Sequence, residues 1–295
     1  MGFFVSPLTQ KNIDRAIYAI LPEEQTCINL AEGLRRQKEF FTKKENFSVF
    51  IKASVFSDEK GIIGILALSR AGVLLHCFIK KIPASICGYV TDSFLSETAP
   101  LSVMGEKNAS VILEKTITKR FYKTPFAVNE YKLLILKENP AADFYKNTKR
   151  RLPADLEFIK PSIKDIKELC SLEADYQETE VLLNGEKASF DLCFKVLSKR
   201  IEANGLYAVK KENRFIAKAA VNASGFFWNQ IGGVYTHPEF RNNGIGRAAV
   251  LFLVEDCLRK KKKCSLFVKV ENYAARTLYE KLGFTEYCNF RISYF

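Results

Sequence analysis

The chain has 295 residues, which is enough for two domains that each bury a core of their own. Its composition, 47% hydrophobic and 26% charged, is that of a globular protein and excludes a chain dominated by disorder. The formal net charge of +12 suits an anionic partner, such as nucleic acid, a membrane surface or a phosphorylated cofactor, and a solvated basic surface is an equal alternative.

The first half of the chain is predicted to be a mixed α/β region. Its predicted elements are helices at 12–19 and 27–41, strands at 48–56, 61–68 and 73–79, a helix from Asn108 to about Phe121, and a strand at 130–136. Asn108 is the expected N-cap of the third helix. The basic segment at 149–151 is interpreted as a linker, which divides the chain into domains 1–150 and 151–295.

The second half has the element order β-α-α-β-β-β-α-β-α-β. Its elements are a strand at 155–159, helices at 163–176 and 189–203, strands at 206–209, 215–221 and 227–235, a helix from Gly244 to about Lys260, a strand at 266–270, a helix at 273–282 and a strand at 286–294. Asn204 and Gly205 form a suitable C-cap for the second helix. The basic run at 259–263 is interpreted mainly as a helix terminus, where cations complement the helix dipole.

The eight cysteines are interpreted as buried free thiols in a reducing compartment, which predicts a cytoplasmic protein. None forms a C-x-x-C pair, and most lie in apolar runs. Because only His76 and His237 could add imidazole, the sequence predicts no metal site and no Ser-His-Asp or Cys-His catalytic system. Polar residues and a glycine interrupt the most apolar stretch, 61–79, so two strands are predicted there and not a membrane span.

A glycine-containing turn follows the strand at 227–235 and opens the next helix. The glycines allow tight backbone conformations and close approach of a ligand. The first helical turn offers unsatisfied N–H groups at the positive end of the helix dipole, and Arg241 and Arg247 add positive charge. The turn is therefore a candidate pyrophosphate site; its sequence is Arg241-Asn242-Asn243-Gly244-Ile245-Gly246-Arg247.

A second block, at 272–284, makes this interpretation specific. Together, V-Y-T-H-P-E-F-R-N-N-G-I-G and N-Y-A-A-R-T-L-Y-E-K-L-G-F resemble the two signature blocks of the GNAT superfamily of N-acetyltransferases, over about the last 140 residues. The turn has neither the G-K-[ST] of a Walker A loop nor the third glycine of a Rossmann fingerprint. The resemblance implies an α/β (α+β) fold with a mixed, mostly antiparallel, twisted sheet flanked by helices, and acetyl-CoA as the acyl donor.

The resemblance also implies roles on the cofactor side. The backbone of Val234 and Thr236 would hydrogen-bond the pantetheine arm, and Asn272 would reach the cofactor near that arm. Tyr279 would donate a proton to the leaving thiolate, whereas a core tyrosine on an amphipathic helix is the alternative. The implied cofactor-binding residues are Val234, Tyr235, Thr236, Arg241, Asn242, Asn243, Gly244, Ile245, Gly246, Arg247, Asn272 and Tyr279.

The segment 176–180 follows the first helix of the second half, where this family usually builds its acceptor site. Tyr176, Glu178 and Glu180 are the candidate contacts for a cationic amine, and a solvated acidic loop is the alternative. The general base is left open between Glu178, Glu180 and ordered water. A backbone N–H near Val234 is the candidate oxyanion donor.

The first half lacks a second turn of this kind. Residues 101–108 and the helix after them are a faint echo of the strand-turn-helix, so this half resembles a degenerate GNAT-like copy; an unrelated α/β domain is the alternative. Two functional classes follow: an N-acetyltransferase that moves acetyl from acetyl-CoA to a primary amine of a small molecule or protein by direct attack, and a non-catalytic acyl-CoA-binding or nucleic-acid-associated module. No nucleic-acid motif is present, no membrane partner is predicted, and a homodimer is compatible with the sequence.

Overall fold

A computed structural model describes residues 2–43, 48–80, 82, 84–95, 99–137, 152–182 and 186–295. The predicted linker at 149–151 lies outside these residues, and the division of the chain at residue 150 stays a prediction. No helix in the described ranges is long and apolar enough to cross a membrane.

Every helix and strand predicted from the sequence is present, with ends shifted by at most three residues. The first half contains β1 (Phe4–Pro7), α1 (Ile13–Ile20), α2 (Ile28–Lys43), β2 (Phe50–Asp58), β3 (Gly61–Ser69), β4 (Val73–Phe78), α3 (Ala84–Tyr89), β5 (Ser102–Glu106), α4 (Lys107–Phe121) and β6 (Ala127–Leu136). The second half contains β7 (Leu156–Ile159), α5 (Ile166–Tyr176), α6 (Phe190–Glu202), β8 (Leu206–Lys211), β9 (Arg214–Ser224), β10 (Trp228–Thr236), α7 (Ile245–Arg259), β11 (Lys263–Lys269), α8 (Tyr273–Lys281) and β12 (Phe284–Tyr294).

The N-cap predicted for α4 is wrong by two residues. Glu106, and not Asn108, is the cap: its carboxylate accepts the backbone N–H groups of Asn108 and Ala109, each at 3.0 Å. A carboxylate has two acceptor oxygens and can satisfy two N–H groups that the helix itself leaves open. Asn108 therefore lies inside the first turn.

The twelve strands form one mixed, mostly antiparallel sheet in the order β1-β2-β3-β4-β5-β12-β6-β11-β10-β9-β8-β7. The final strand of each half pairs with the other half: β12 pairs with β5, and β6 pairs with β11. β6 and β12 also pair with each other over most of their length. This exchange makes the two halves one continuous sheet, and it confirms the predicted fold class.

Helices cover both faces of the sheet. In β8, Leu206 and Ala208 pack with α5 and α6, whereas the alternate residues Tyr207 and Val209 pack with α7. This alternation is expected of a strand buried on both faces. The same arrangement in the first half places α1 and α2 on one face and α3 and α4 on the other.

Buried polar contacts hold the exchanged strand and the two halves together. Arg291 of β12 donates to Glu114 of α4 at 2.9 Å and to Glu130 of β6 at 2.7 Å. Glu24, which is fully buried in the first half, accepts the backbone N–H groups of Phe227 and Trp228 at the start of β10. The position of β10 thus depends on both halves.

Candidate active site

The parallel strands β10 and β11 separate partway along their length. They pair from Trp228 to Ile231 on β10 and from Lys263 to Leu266 on β11. Beyond Ile231, β10 bulges away from its register with β9, and Gly233 takes a φ of +57° that favours glycine. β11 continues against β6 as far as Lys269. The divergence opens a gap in the middle of the sheet.

A groove of about 510 Å³ lies on one side of this gap. It contains most of the cofactor-binding residues that the sequence suggests: Val234, Tyr235, Thr236, Arg241, Asn242, Gly244, Ile245, Gly246, Arg247, Asn272 and Tyr279. Asn243 is exposed on the same turn and is not part of the lining. The structure therefore brings eleven residues, from the end of β10, from the turn into α7 and from α8 with its N-cap residue, into one groove.

The start of α7 has the features of an anion-binding cradle. Gly244 is the N-cap in a left-handed conformation with φ +75°, and no side chain caps the helix. The N–H groups of its first turn therefore stay available to a ligand. A Cβ on Gly246 would lie 2.8 Å from Thr236 Oγ1, so any side chain there would crowd the cradle. Arg247 Nε is buried and has no hydrogen-bond partner in the described structure. These features fit a pyrophosphate.

Two other residues of the groove shape it through the backbone. Arg241 donates from Nε to the carbonyl of Thr236 at 3.0 Å, which fixes the turn against the end of β10. Asn272 accepts the N–H of Ala275 at 3.0 Å and thereby caps α8. Both side chains keep further donors that face the groove region, since both residues line it.

A second cavity, of about 310 Å³, lies between the separated strands and is closed by residues of both halves. The first half contributes Asn29, Met104, Asn129 and Tyr131, and β12 contributes Ile292 and Tyr294. The cavity and the groove share five lining residues, which are Glu180, Val234, Asn272, Ala275 and Tyr279. The two spaces therefore meet at this point.

Tyr279 is buried on α8 and lines both the groove and the cavity. Its ring packs edge-on against Phe284 at 5.9 Å between centroids. Burial raises the pKa of the Tyr279 phenol, and nearby Tyr176 and Glu180 raise it further. The phenol thus stays protonated near neutral pH.

The acidic segment after α5 forms a π-helical turn, Gln177–Val181, and its two glutamates point to different places. Glu180 lines both the groove and the cavity. Glu178 lines neither: it pairs with Lys187 at 2.8 Å and accepts the N–H of Ala188. The Lys187 ammonium holds the pKa of the Glu178 carboxyl below its usual range. Tyr176 lines the cavity, and its ring packs edge-on against Tyr235.

A buried charged cluster supports the β10 bulge from behind. Lys218 of β9 is fully buried; its ammonium donates to the carbonyl of Gly233 at 2.9 Å and pairs with Glu173 at 2.9 Å. Arg200 also pairs with Glu173 and lies against Gly233. The Lys218 ammonium lies 4.0 Å from the centre of the Tyr176 ring. These contacts fix the orientation of the Gly233 peptide.

Sequence reasoning missed several residues of this region. The Gly232-Gly233 pair within a strand is a recognisable sign of a bulge. Lys218 interrupts an otherwise apolar strand, which is the signal that a buried charge can give. Tyr294 contacts Phe126 and also lines the cavity. In the part of the chain that the structure describes, no cluster of three or more His, Cys, Asp or Glu could hold a metal.

The comparisons with known proteins agree with this geometry. Residues 166–284 match the acetyltransferase (GNAT) family. The chain carries a GNAT domain. Among curated proteins, none matches the sequence.

Solved structures share the fold across both halves of the chain, not only the GNAT domain. A Drosophila protein is 12% identical over 100% of this chain and 99% of its own, with a TM-score of 0.67. A GNAT-family acetyltransferase from Colwellia psychrerythraea is 11% identical over 99% of both chains, with a TM-score of 0.59. A tandem GNAT protein from the clavulanic acid biosynthesis pathway is 10% identical over 99% of this chain and 98% of its own, with a TM-score of 0.55. The first half is therefore GNAT-like in fold.

Proposed function

We propose that this chain is an N-acetyltransferase that moves an acetyl group from acetyl-CoA to the primary amine of a small molecule or protein. The observation that carries the proposal is the meeting of the groove and the cavity at Tyr279 and Glu180. A donor in the groove and an acceptor in the cavity would approach each other beside one phenol and one carboxylate. Holding both reactants in one place removes much of the entropic cost of the reaction.

The donor would be held by the cradle and the end of β10. The N–H groups at the start of α7, with Arg241 and Arg247, would bind the pyrophosphate, and the backbone of 234–236 would bind the pantetheine arm. Acetyl-CoA supplies a thioester carbonyl with a thiol leaving group. Beyond Ile231, β10 no longer pairs with β11, and the N–H near Val234 would donate to that carbonyl oxygen.

Tyr279 would act as the general acid. Its raised pKa keeps a proton on the phenol oxygen, which can pass to the sulfur as the C–S bond breaks. Glu180 would act as the general base, directly or through water, because it lines the cavity whereas Glu178 is engaged by Lys187. The ammonium of the acceptor loses two protons in all. One leaves through Glu180 to solvent, and the other restores the phenol proton that Tyr279 gives to the thiolate.

The same fold could serve a non-catalytic acyl-CoA-binding module. Such a module needs the groove but has no need for a second cavity that reaches Tyr279 from the other side of the gap. The cavity therefore favours the enzyme over the binding module.

Thiol release from acetyl-CoA in the presence of a panel of amines tests the proposal directly. The wild type should release thiol with at least one amine. Tyr279→Phe should lower turnover about 100-fold, because the leaving thiolate loses its proton donor. Turnover of Tyr279→Phe equal to the wild type at every pH would show that the phenol is not the general acid. Failure of the protein to bind acetyl-CoA would contradict the proposed acetyltransferase activity.

A further inference from the structure

The cavity between β10 and β11 carries two side chains of opposite charge. Of its 21 lining residues, only Glu180 and Lys269 are of types that are ionised at neutral pH. Neither forms an ion pair or a side-chain hydrogen bond within the described residues. Unpaired charges in a partly enclosed site favour a ligand of complementary charge over water alone.

The rest of the lining is neutral and polar. Amide side chains come from both halves of the chain, namely Asn29, Asn129, Asn222, Gln230 and Asn272. Tyr131 lies directly across from Lys269 in the register of β6 and β11, and both line the cavity. These groups can donate to and accept from a small polar molecule, but they add no further charge.

The size of the cavity limits the acceptor. At about 310 Å³ it lies at the lower end of the range for small-molecule pockets. Residues of the first half and of β12 line the cavity but not the groove. A compact molecule fits such a space better than a segment of protein chain.

We propose that the acceptor is a small zwitterion, an amino acid or a close relative, whose ammonium lies at Glu180 and whose carboxylate lies at Lys269. Lys269 is then a specificity-determining residue. This inference rests on the proposed acetyl transfer: the C–N bond forms at the acceptor nitrogen as the C–S bond of the donor breaks. The carboxylate of the acceptor takes no part in the chemistry and serves to position the amine.

Matched pairs of amines with and without the carboxylate provide the first test. Glycine and methylamine, serine and ethanolamine, tyrosine and tyramine, and histidine and histamine would each be assayed by thiol release, with β-alanine and 4-aminobutyrate as longer zwitterions. At least one zwitterion should be acetylated with a kcat/KM at least tenfold above that of its partner without the carboxylate. Equal or better use of the partners overturns the inference, as does a panel in which no zwitterion is acetylated.

Variants of Lys269 provide the second test. Lys269→Met should raise KM for the preferred zwitterion at least tenfold, change kcat by less than threefold, and leave KM for the partner amine unchanged. Lys269→Arg should restore much of the affinity because it restores the positive charge. Lys263→Met, at the opposite end of β11 and outside the cavity, is the matched control and should behave as the wild type.

A binding measurement separates this inference from the proposed activity. Calorimetric titration of the zwitterion into CoA-saturated protein should show binding that Lys269→Met weakens at least tenfold and Lys263→Met does not. Acetylation of amines with no preference for a carboxylate would contradict the zwitterionic acceptor but agree with the proposed acetyltransferase activity. Absence of acetyl-CoA binding would contradict the proposed acetyltransferase activity itself.

Discussion

The parallel strand pairs β4–β5 and β10–β11 occupy equivalent places in the two halves of the sheet. Their last paired residues are Leu75 with Met104 and Ile231 with Leu266. The next residue is His76 in β4 and Gly232 in β10. A framework with the same element order therefore places an imidazole in one half where the other half has no side chain.

His76 occupies this position with a buried side chain. Its ring lies so close to Gly105 that a Cβ there would come within 2.2 Å of Nε2, and Nε2 lies 2.9 Å from Ser110 Oγ on α4. Burial lowers the pKa of His76 to about 4, so the ring stays neutral. Phe78 and Tyr89 pack around Phe56 nearby. The first half uses this position for its core.

The segments that follow β4 and β10 also differ in sequence. The second half has Gly244, Gly246 and two arginines at the start of α7, with Arg247 Nε buried and without a partner in the described structure. The segment between β4 and α3, residues 79–83, has no glycine, and its Lys80 pairs with Asp58 at 2.6 Å. A few positions therefore distinguish the half that has the cradle from the half that does not.

A histidine at position 232 would give the second half the residue that the first half has at position 76. We expect this change to have the largest effect on turnover. Gly232→His would put a ring into the cavity, where even a Cβ would lie 2.0 Å from Asn222 Nδ2. Turnover should fall more than 100-fold while acetyl-CoA, held at the separate cradle, still binds. Steady-state thiol release and calorimetry measure the two quantities. Wild-type turnover in a variant that unfolds cooperatively would show that the cavity is not the acceptor site.

The buried lysine behind the β10 bulge should give stability an unusual pH dependence. Burial lowers the pKa of Lys218 to about 8, against the opposing effect of Glu173, whereas in the unfolded chain it stays near 10.5. Between these values the unfolded chain holds a proton that the folded protein has lost, so the free energy of unfolding rises with pH.

Comparison with Lys218→Met isolates this contribution from other titrating groups. From pH 8 to pH 10 the wild type should gain about 2 kcal/mol relative to the variant, measured by urea unfolding. A parallel pH dependence of the two proteins would contradict a depressed Lys218 pKa. β3, the counterpart of β9 in the first half, contains no charged residue and offers no such effect.

Matched changes at the two turns should give the smallest effect. Arg247→Ala should weaken acetyl-CoA binding about tenfold, or about 1.4 kcal/mol, because one charge-assisted contact is lost. Lys80→Ala, at the equivalent turn of the first half, should leave binding unchanged. Equal losses in both variants, measured by calorimetry, would indicate general electrostatic attraction and not a cradle.

Local signals in the sequence predicted most of the elements, but β1, α3 and β5 were missed. They also marked the turn at 241–247 as a candidate site, since Gly244, Gly246 and the flanking arginines act within one turn. The exchange of β6 and β12 could not be predicted, because strand pairing over such sequence distances leaves no local pattern. The packing of the His76 side chain could not be predicted either, because it depends on the absence of a side chain at Gly105 on the neighbouring strand. Glu106 was overlooked as a cap because Asn108 is the commoner cap residue type.

The pair of acidic candidates shows a similar limit. Glu178 and Glu180 are two residues apart, and nothing in the sequence distinguishes them. The π-helical turn directs Glu180 to the cavity and leaves Glu178 to Lys187. Which of the two glutamates reaches the cavity depends on the local helix geometry and on the residues from other strands that line the cavity.

In the proposed function the second half binds acetyl-CoA and the first half, which has His76 at the position of Gly232, does not. Calorimetric titration with acetyl-CoA measures this directly as a stoichiometry. We predict one equivalent bound per chain, lost in Gly246→Val, where the side chain would crowd Thr236 in the cradle, and retained in Lys80→Ala. Two equivalents per chain, or one equivalent that survives Gly246→Val, would contradict the claim.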